Sequence, residues 1–293
     1  MQISDHLKGI LITTLGVIIL SPDAILLRLL NADTLTVLFW RGASLFVGIT
    51  VLMLLIFKAD TLKQFIKIGR PGLIIALVFA SSTFCFTAAI QNTSISNTLV
   101  IISTSPMFAA LFSWIFLKEK VKLITWIAMI IIIGAIAAIM SHSASEGSLF
   151  GDLCAFASSI FMAISFTIMR RHKQVSMIPA MAISGIFAML MASPLIIKTE
   201  STFLLSSNAI PYLILAAIFI SIAFALITLG PRYMPAPEVG LIMPLETVLG
   251  SYLGWIFLQE EPNRLTIIGG IIVIVALFIH AWLSLKDSKK TSH

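Results

Sequence analysis

Four ionisable side chains lie within long apolar stretches of the sequence: Asp23, Arg41, Glu238 and Glu246. A charged group in membrane hydrocarbon costs at least about 2.5–3.5 kcal/mol on insertion scales, so such groups usually face protein or a water-filled cavity. Carboxylates and a guanidinium at that depth can pair with each other, neutralise a charged solute, or exchange protons with water. These four residues therefore indicate solute or proton chemistry inside a membrane.

Asp23 and Arg41 fall at comparable depths in neighbouring apolar stretches. Asp23 is about seven residues, or about 10 Å, from the predicted outer end of its helix, and Arg41 is about five residues from that of the next. Their opposite charges predict an ion pair with two open roles: a gate or part of a binding site, or a fixed brace between adjacent helices. Trp40 could stack on a ligand or anchor its helix at the membrane interface.

Glu246 falls about 15 Å into its apolar stretch, close to the midplane of a bilayer. It suits a carboxylate that couples transport to protons or that neutralises a cationic substrate; the alternative is a carboxylate that hydrogen-bonds to a broken helix and stabilises the fold. Glu238 lies nearer the inner surface and follows Pro235 and Pro237, which favours capping of a helix N-terminus. Arg232 could pair with Glu238 at an inner mouth.

Prolines interrupt several apolar stretches, and each frees a backbone carbonyl about one turn earlier. Such carbonyls are tolerated at membrane depth only when they are buried or line a cavity. Interrupted helices at corresponding places in two halves point to a central substrate site, here predicted between the fourth and ninth helices. The predicted helix breaks are at Pro22, Pro106 and Pro244, and the further polar contributors are Gln91, Asn97, Ser105 and Thr247.

Ten apolar blocks position these residues. The chain has 293 residues, of which 59% are hydrophobic and 11% charged, against about 25% charged in soluble domains. Blocks of about 20 apolar residues suffice to cross roughly 30 Å of hydrocarbon, which predicts an all-α membrane protein with ten transmembrane helices. The blocks are 9–30, 36–57, 72–91, 97–117, 123–141, 150–169, 177–197, 210–230, 237–258 and 265–285.

The charges and motifs exclude other classes of protein. The net charge is +6, but the basic residues are not interleaved with aromatic residues on one face, so no nucleic-acid partner is predicted. Cys85 and Cys154 lack metal-ligand spacing, and neither a metal nor another cofactor is predicted. Neither HExxH, GxSxG nor GxxxxGK[ST] occurs, which argues against an enzyme and against ATP hydrolysis by this chain.

The distribution of basic residues predicts the orientation. With the N-terminus in the cytoplasm, 15 of the 19 lysines and arginines fall on the inner side, and Arg28, Lys198 and Arg264 fall on the outer side. Positive charge is enriched in cytoplasmic connections, so both termini are predicted to be cytoplasmic. The lack of an N-terminal transit sequence and the short tails predict a multi-pass protein of the cell inner membrane.

The sequence repeats itself. The segment 114–120 recurs 141 positions later as 255–261. Two repeats, residues 1–143 and 144–293, would each contain five helices, and an odd number inverts the second relative to the first. The loop 118–122 is basic, as expected of a cytoplasmic connection, whereas its counterpart 259–264 is acidic and predicted to lie outside. This difference in charge agrees with the inversion. Further aligned pairs are Asn97 with Glu238, Ser105 with Glu246 and Pro106 with Thr247, and, at an offset of 142, Gly9 with Gly151 and Arg28 with Arg170.

These motifs resemble the EamA-like branch of the drug/metabolite transporter superfamily over nearly the whole chain. The resemblance depends on the segments 39–42 (FWRG), 105–106 (SP), 114–119 (WIFLKE), 244–247 (PLET) and 255–261 (WIFLQEE). Where such proteins often have Glu-Pro, this chain has Glu246-Thr247, with the proline displaced to Pro244. The resemblance implies export or exchange of metabolites, amino acids or drug-like molecules through a central cavity.

Inverted repeats are typical of secondary transporters, because the two halves can exchange conformations around a central site. The sequence therefore predicts a permease that exports or exchanges a small organic solute by alternating access, with protons as a candidate coupling ion and the lipid bilayer as its environment. A passive solute channel is the alternative, and an intramembrane enzyme is the less favoured one.

Overall fold

The computed structural model describes residues 5–117, 127, 130–135, 137–138, 141, 148–262 and 264–290. The regular secondary structure of these residues is entirely helical, without a β-strand. Eight helical segments of this part are long and apolar enough to cross a membrane: 6–29, 34–67, 69–92, 95–116, 149–171, 178–198, 207–233 and 238–258. A shorter apolar helix covers Arg264–Ala276. The all-α membrane class is confirmed to this extent, and the predicted fifth block, 123–141, lies mostly outside the described residues.

Several of these spans consist of two helices. The helices are α1 (Asp5–Leu20), α2 (Asp23–Leu29), α3 (Thr34–Phe57), α4 (Thr61–Lys67), α5 (Gly69–Asn92), α6 (Ile95–Ile102), α7 (Ser105–Leu117), α8 (Leu149–Arg171), α9 (Ile178–Lys198), α10 (Ile210–Tyr233), α11 (Ala236–Ile242), α12 (Pro244–Leu258) and α13 (Arg264–Lys290). The stretch between α3 and α5, which the sequence marks only by its charges, thus contains a short helix of its own, α4.

Three spans break where the sequence places prolines. Pro22 precedes α2, Pro106 is the second residue of α7, and Pro244 is the first residue of α12. A proline is tolerated in a first helical turn because its missing N–H would have no intrahelical partner there. Pro194, in contrast, lies inside α9, which continues through it. The breaks divide the first, fourth and ninth predicted helices into a shorter and a longer part, for example 7 and 15 residues in α11 and α12.

The main contacts join helices before residue 118 to helices after residue 148. The pairs are α1 with α10, α5 with α8, and α3 with α9. The fourth and ninth spans cross in opposite directions, since α6 packs on α12 and α7 packs on α11. The two broken spans therefore lie side by side, with their interruptions close together.

Residues that the repeat aligns make matching contacts. A Cβ atom on Gly9 would lie 2.9 Å from Cβ of Tyr233, and one on Gly151 would lie 2.8 Å from the carbonyl carbon of Asn92. Gly9 and Gly151 are 142 positions apart, and Asn92 and Tyr233 are 141 apart. Both contacts are too close for a larger residue, so each glycine lets α1 or α8 approach the end of its neighbour.

The aligned arginines, Arg28 and Arg170, also make similar contacts. Nη2 of Arg28 donates to the carbonyl oxygen of Thr93 at 2.8 Å, and Nη1 of Arg170 donates to that of Pro231 at 3.2 Å. Each arginine thus ties the end of one span to the end of another in the corresponding place of the other half.

The outer surface of the bundle is apolar. Leucines and isoleucines on α1, α3 and α5 are about half exposed, among them Leu11 at 53% and Leu55 at 72%. A soluble monomer rarely exposes such a continuous apolar surface, whereas a bilayer covers it. Polar side chains are directed instead toward the helix contacts in the interior.

Candidate functional site

A cavity lies between the halves, beside the breaks in the first and ninth spans. Its empty volume is about 340 Å³, with the space at its mouth included. One part of the wall is apolar and aromatic, and the other carries three ionisable groups. The lining residues are Leu20, Asp23, Arg41, Phe79, Ser82, Thr83, Phe86, Ile102, Met162, Phe224 and Glu246.

Asp23 and Arg41 form a buried ion pair in this wall. Nη1 of Arg41 donates to Oδ1 of Asp23 at 2.8 Å and to Oδ2 at 2.7 Å, and the two side chains are 5% and 1% exposed. Asp23 is the first residue of α2, so the helix break places its carboxylate at a helix N-terminus, where negative charge is favoured. The guanidinium also lies over the ring of Phe86, 4.9 Å from its centroid. The pair that the sequence predicts from depth is present.

Arg41 keeps one side of its guanidinium unused. All of its hydrogen bonds to Asp23 come from Nη1, whereas Nε is buried and without an acceptor in the described part of the chain. Nη2 likewise donates to none of the described residues. A buried donor without an acceptor is costly, about 1–3 kcal/mol.

Glu246 lines the same cavity from the first turn of α12. The residue is 6% exposed, and within the described residues its carboxylate has neither a hydrogen bond nor an ion pair. Its backbone N–H donates to the carbonyl of Met243 at 2.8 Å, which belongs to the helix start. The carboxylate is therefore not used to stabilise the broken helix, and it faces the cavity unpaired.

Five residues predicted to contribute to the site lie outside the cavity lining. Four of them connect elements: Trp40 Nε1 donates to the carbonyl of Phe203 at 2.8 Å, Gln91 Nε2 to that of Leu27 at 3.4 Å, Thr247 Oγ1 to that of Leu99 at 3.0 Å, and Asn97 Oδ1 accepts from Thr266. Ser105 is 1% exposed, and its hydroxyl has no partner among the described residues. The structure thus brings only Asp23, Arg41 and Glu246 together around the cavity.

The predicted pair of Arg232 with Glu238 is wrong. Glu238 Oε2 instead lies 2.6 Å from Nε2 of His6, and Nε of Arg232 donates to the carbonyl of Lys173 at 3.2 Å. The reason is direction: Arg232 lies at the end of α10 and faces the turn after α8, whereas Glu238 begins α11 and faces α1. Glu238 does lie in the first turn of α11, but among the described residues its carboxylate contacts His6 and makes no capping hydrogen bond.

A polar network joins several elements at the end of the bundle that is predicted to be extracellular. Nη1 of Arg28 lies 3.1 Å from Oε1 of Glu260, and Oε2 of Glu260 accepts from the backbone N–H of Ile95 at 3.2 Å. Thr93, whose carbonyl binds Arg28, donates from its hydroxyl to Oδ1 of the fully buried Asp152 at 2.7 Å. The network connects α2, the turn between α5 and α6, α8, and the connection that follows α12.

Sequence reasoning missed part of this arrangement. Ser82 and Thr83 form a polar pair inside an apolar block, which was a usable signal for the cavity wall. Arg28 was already marked by its alignment with Arg170. Asp152, the third residue of the block 150–169, was not identified as a candidate from the sequence.

Comparisons with known proteins agree with this architecture. A model of the EamA-like transporter family matches residues 7–141 and again 149–282. A pseudopaline exporter of Pseudomonas aeruginosa is 26% identical over 250 residues, covering 82% of this chain and 83% of the exporter. An uncharacterized transporter of Bacillus subtilis, YetK, is 25% identical over 267 residues, covering 85% of this chain and 80% of its own length. One crystal structure superposes with a TM-score of 0.69 at 15% identity, over 95% of this chain and 98% of the other, which shows the likeness of fold.

Proposed function

Because the chain belongs to the EamA-like transporter family over both matched regions, we propose that it is a secondary transporter that exports or exchanges a small organic solute. It would do so across the cell inner membrane by alternating access, with the cavity beside Glu246 as the substrate site. The pseudopaline exporter among its relatives supports the outward direction.

The proposed mechanism needs two inverted repeats, residues 1–143 and 144–293, with five transmembrane helices each. The matching contacts of Gly9 and Gly151 and of Arg28 and Arg170 support this division. The antiparallel crossing of the fourth and ninth spans supports the inversion, since equivalent helices of inverted repeats run in opposite directions. Two such halves can rock against each other and open the central cavity first to one side and then to the other.

The unpaired carboxylate of Glu246 is the single observation that carries the proposal. Asp23 and Arg41 neutralise each other, so the ionised cavity has one uncompensated negative charge. A buried charge without a partner is expensive, and a positive group of a solute, or a proton, would relieve that cost. A site that must be neutralised in each cycle suits a carrier better than an open channel.

Purified protein in sealed vesicles tests the proposal. A thermal-stability screen of amino acids, nucleosides, polyamines and drug-like cations selects solutes, because a ligand that binds the folded state raises its apparent stability. We expect a selected solute to show saturable uptake and counterflow, in which unlabelled solute inside accelerates uptake of labelled solute. Flux that rises linearly with concentration and shows no counterflow would instead support a channel.

The orientation is tested separately with topology reporters. We expect a reporter that works only in the cytoplasm to be active at either terminus, and inactive when inserted into the connection 199–206, which the sequence places outside. The exposed tip of that connection, Leu204 at 79%, is a suitable insertion point. Activity at one terminus and not at the other would mean an odd number of crossings and would remove the inverted repeat.

A further inference from the structure

The short helix α4 has an apolar side and a basic side that are both exposed. Thr61 and Ile68, at the two ends of this helix, are 6% and 3% exposed, whereas Leu62 and Ile66 between them are 71% and 72% exposed. We propose that α4 lies in the membrane interface and binds the head groups of anionic phospholipids. This site goes beyond the proposed transport function, because it lies at the end of the bundle that is predicted to be cytoplasmic and outside the cavity lining.

The backbone holds α4 beside the end of α3. The hydroxyl of Thr61 is within hydrogen-bonding distance of the carbonyl oxygens of Met53 and Lys58, at 3.2 and 2.8 Å. Residues eight apart would be separated by about 12 Å along a continuous helix, so the chain turns back after α3. Left-handed backbone positions at Lys58, with φ of 48°, and at Gly69, with φ of 53°, lie before and after α4. The helix therefore starts beside the last turns of α3 and not beyond its end.

Three sides of α4 face three different surroundings. Residues four apart share one side of a helix, and successive residues turn by about 100°. Leu62 and Ile66 form the apolar side, and Lys63 and Lys67 form a basic side about 100° further round. The third side contains the buried Thr61, and α4 contacts α3 and α9. A helix that lies in the interface beside a bundle needs this order, with protein on one side, hydrocarbon on the next and head groups on the third.

The depth of α4 indicates a bilayer and not a soluble partner. Leu54 and Leu55, which directly follow Met53 in α3, are 51% and 72% exposed on the apolar surface that lipid covers. Because Thr61 contacts Met53, the apolar side of α4 begins at the level of these leucines. An apolar helix side at that level is covered by acyl chains.

The charge of this segment selects anionic lipids. Residues 58–70 contain four basic residues, Lys58, Lys63, Lys67 and Arg70, and one acidic residue, Asp60. Asp60 pairs with Lys63 at 2.7 Å, and both side chains are more than half exposed. The other three basic side chains make no ion pair with any described residue. Basic clusters next to a membrane span attract anionic head groups, and lysines beside apolar surface extend their ammonium groups toward the phosphates.

Quenching by spin-labelled lipids tests both the location and the selectivity. In a protein with Cys85 and Cys154 replaced by alanine, Ala59→Cys, at an exposed position just before α4, carries a fluorophore. The phosphatidylcholine vesicles contain a small fraction of phosphatidylglycerol or phosphatidylcholine, each with the same nitroxide near the top of one acyl chain. We expect both lipids to quench, and phosphatidylglycerol to quench at least about threefold more strongly at low salt. Absence of quenching by both lipids would place α4 in water, and equal quenching would remove the selectivity; either result would overturn the proposal.

A double variant of this labelled protein assigns the basic contacts. Lys63→Gln with Lys67→Gln should bring the ratio of quenching by the two lipids close to one. Lys198→Gln with Arg264→Gln is the control, because it also removes two exposed positive charges, but from positions that the sequence places on the other side of the membrane. The control should leave the ratio unchanged. An equal fall in both proteins would mean that the ratio reflects net charge and would refute the site on α4.

A second double variant tests the apolar side. Leu62→Gln with Ile66→Gln keeps every charge of the segment, and quenching by both lipids should fall at least about twofold because the helix no longer inserts its apolar side. Unchanged quenching by both lipids would contradict the interfacial location. If a variant does not fold, the two lipids compared in the labelled protein without these substitutions decide the question.

Discussion

Glu246→Gln is expected to lower the rate of transport by at least about thirtyfold while the protein inserts normally. Removal of one partner from a desolvated ionic contact costs about 2–5 kcal/mol, and about 2 kcal/mol corresponds to about thirtyfold. The measurement is initial uptake or counterflow at equal amounts of reconstituted protein. A carboxamide is close to a carboxylate in shape, so the change isolates the charge.

The same substitution should leave the melting temperature unchanged or raise it. In the described structure the carboxylate is buried without a partner, so folding pays for its desolvation and gains no hydrogen bond in return. When a residue is kept for function although it lowers stability, its substitution reduces activity and leaves stability unchanged or higher. A lower melting temperature together with unchanged transport would mean that Glu246 has a structural role only.

Glu238→Gln is the matched control for Glu246→Gln. Glu238 also begins a helix of the ninth span, but it is 31% exposed and paired with His6. The pair is accessible to water, where ion pairs contribute little, so we expect transport within about threefold of wild type. An equal loss in both variants would indicate that any carboxylate of this span is needed, and not the cavity position.

The sequence predicted the eight spans that the structure describes because bilayer thickness fixes their length. It predicted the breaks because prolines and polar residues are rare in such blocks. It also predicted depth, which was enough to pair Asp23 with Arg41. Depth does not give the direction in which a side chain points around its helix. Thr247 has a suitable depth but faces a neighbouring helix, and a rotation of about 100° per residue separates the two outcomes. Gln91 and Asn97 lie at helix ends and connect neighbouring elements there.

The predicted interaction of Arg232 with Glu238 was wrong for the same reason, because depth does not give the direction of a side chain. The two residues are close in sequence, yet the turn at Pro235 directs them to different neighbours. Long-range partners such as His6 depend on the packing of the whole bundle, which a single sequence does not specify. The residues that the sequence aligns, Gly9 with Gly151 and Arg28 with Arg170, make similar long-range contacts in the structure.

Alternating access predicts that the network of Arg28 and Glu260 must open in each cycle. Glu260 binds both Arg28 and the N–H of Ile95, so this one side chain joins three elements at one end of the bundle. If the cavity opens toward this end, these elements have to separate. The network is a natural place for a latch, since it combines charged partners of moderate exposure, 28% and 25%, that can be solvated when they separate.

A covalent link at this latch is therefore expected to stop transport. In a protein with Cys85 and Cys154 replaced by alanine, Arg28→Cys and Glu260→Cys are joined by a short, cleavable bifunctional thiol reagent. Transport should fall at least about tenfold, because the two linked elements can no longer separate. Transport should return when reduction cleaves the link. Each single-cysteine protein treated with the reagent controls for modification alone. The pair Asp60→Cys with Lys63→Cys replaces an ion pair of 2.7 Å within one short segment, and its link should have no effect. Full transport by a completely linked 28–260 protein would mean that this end of the bundle does not open during the cycle.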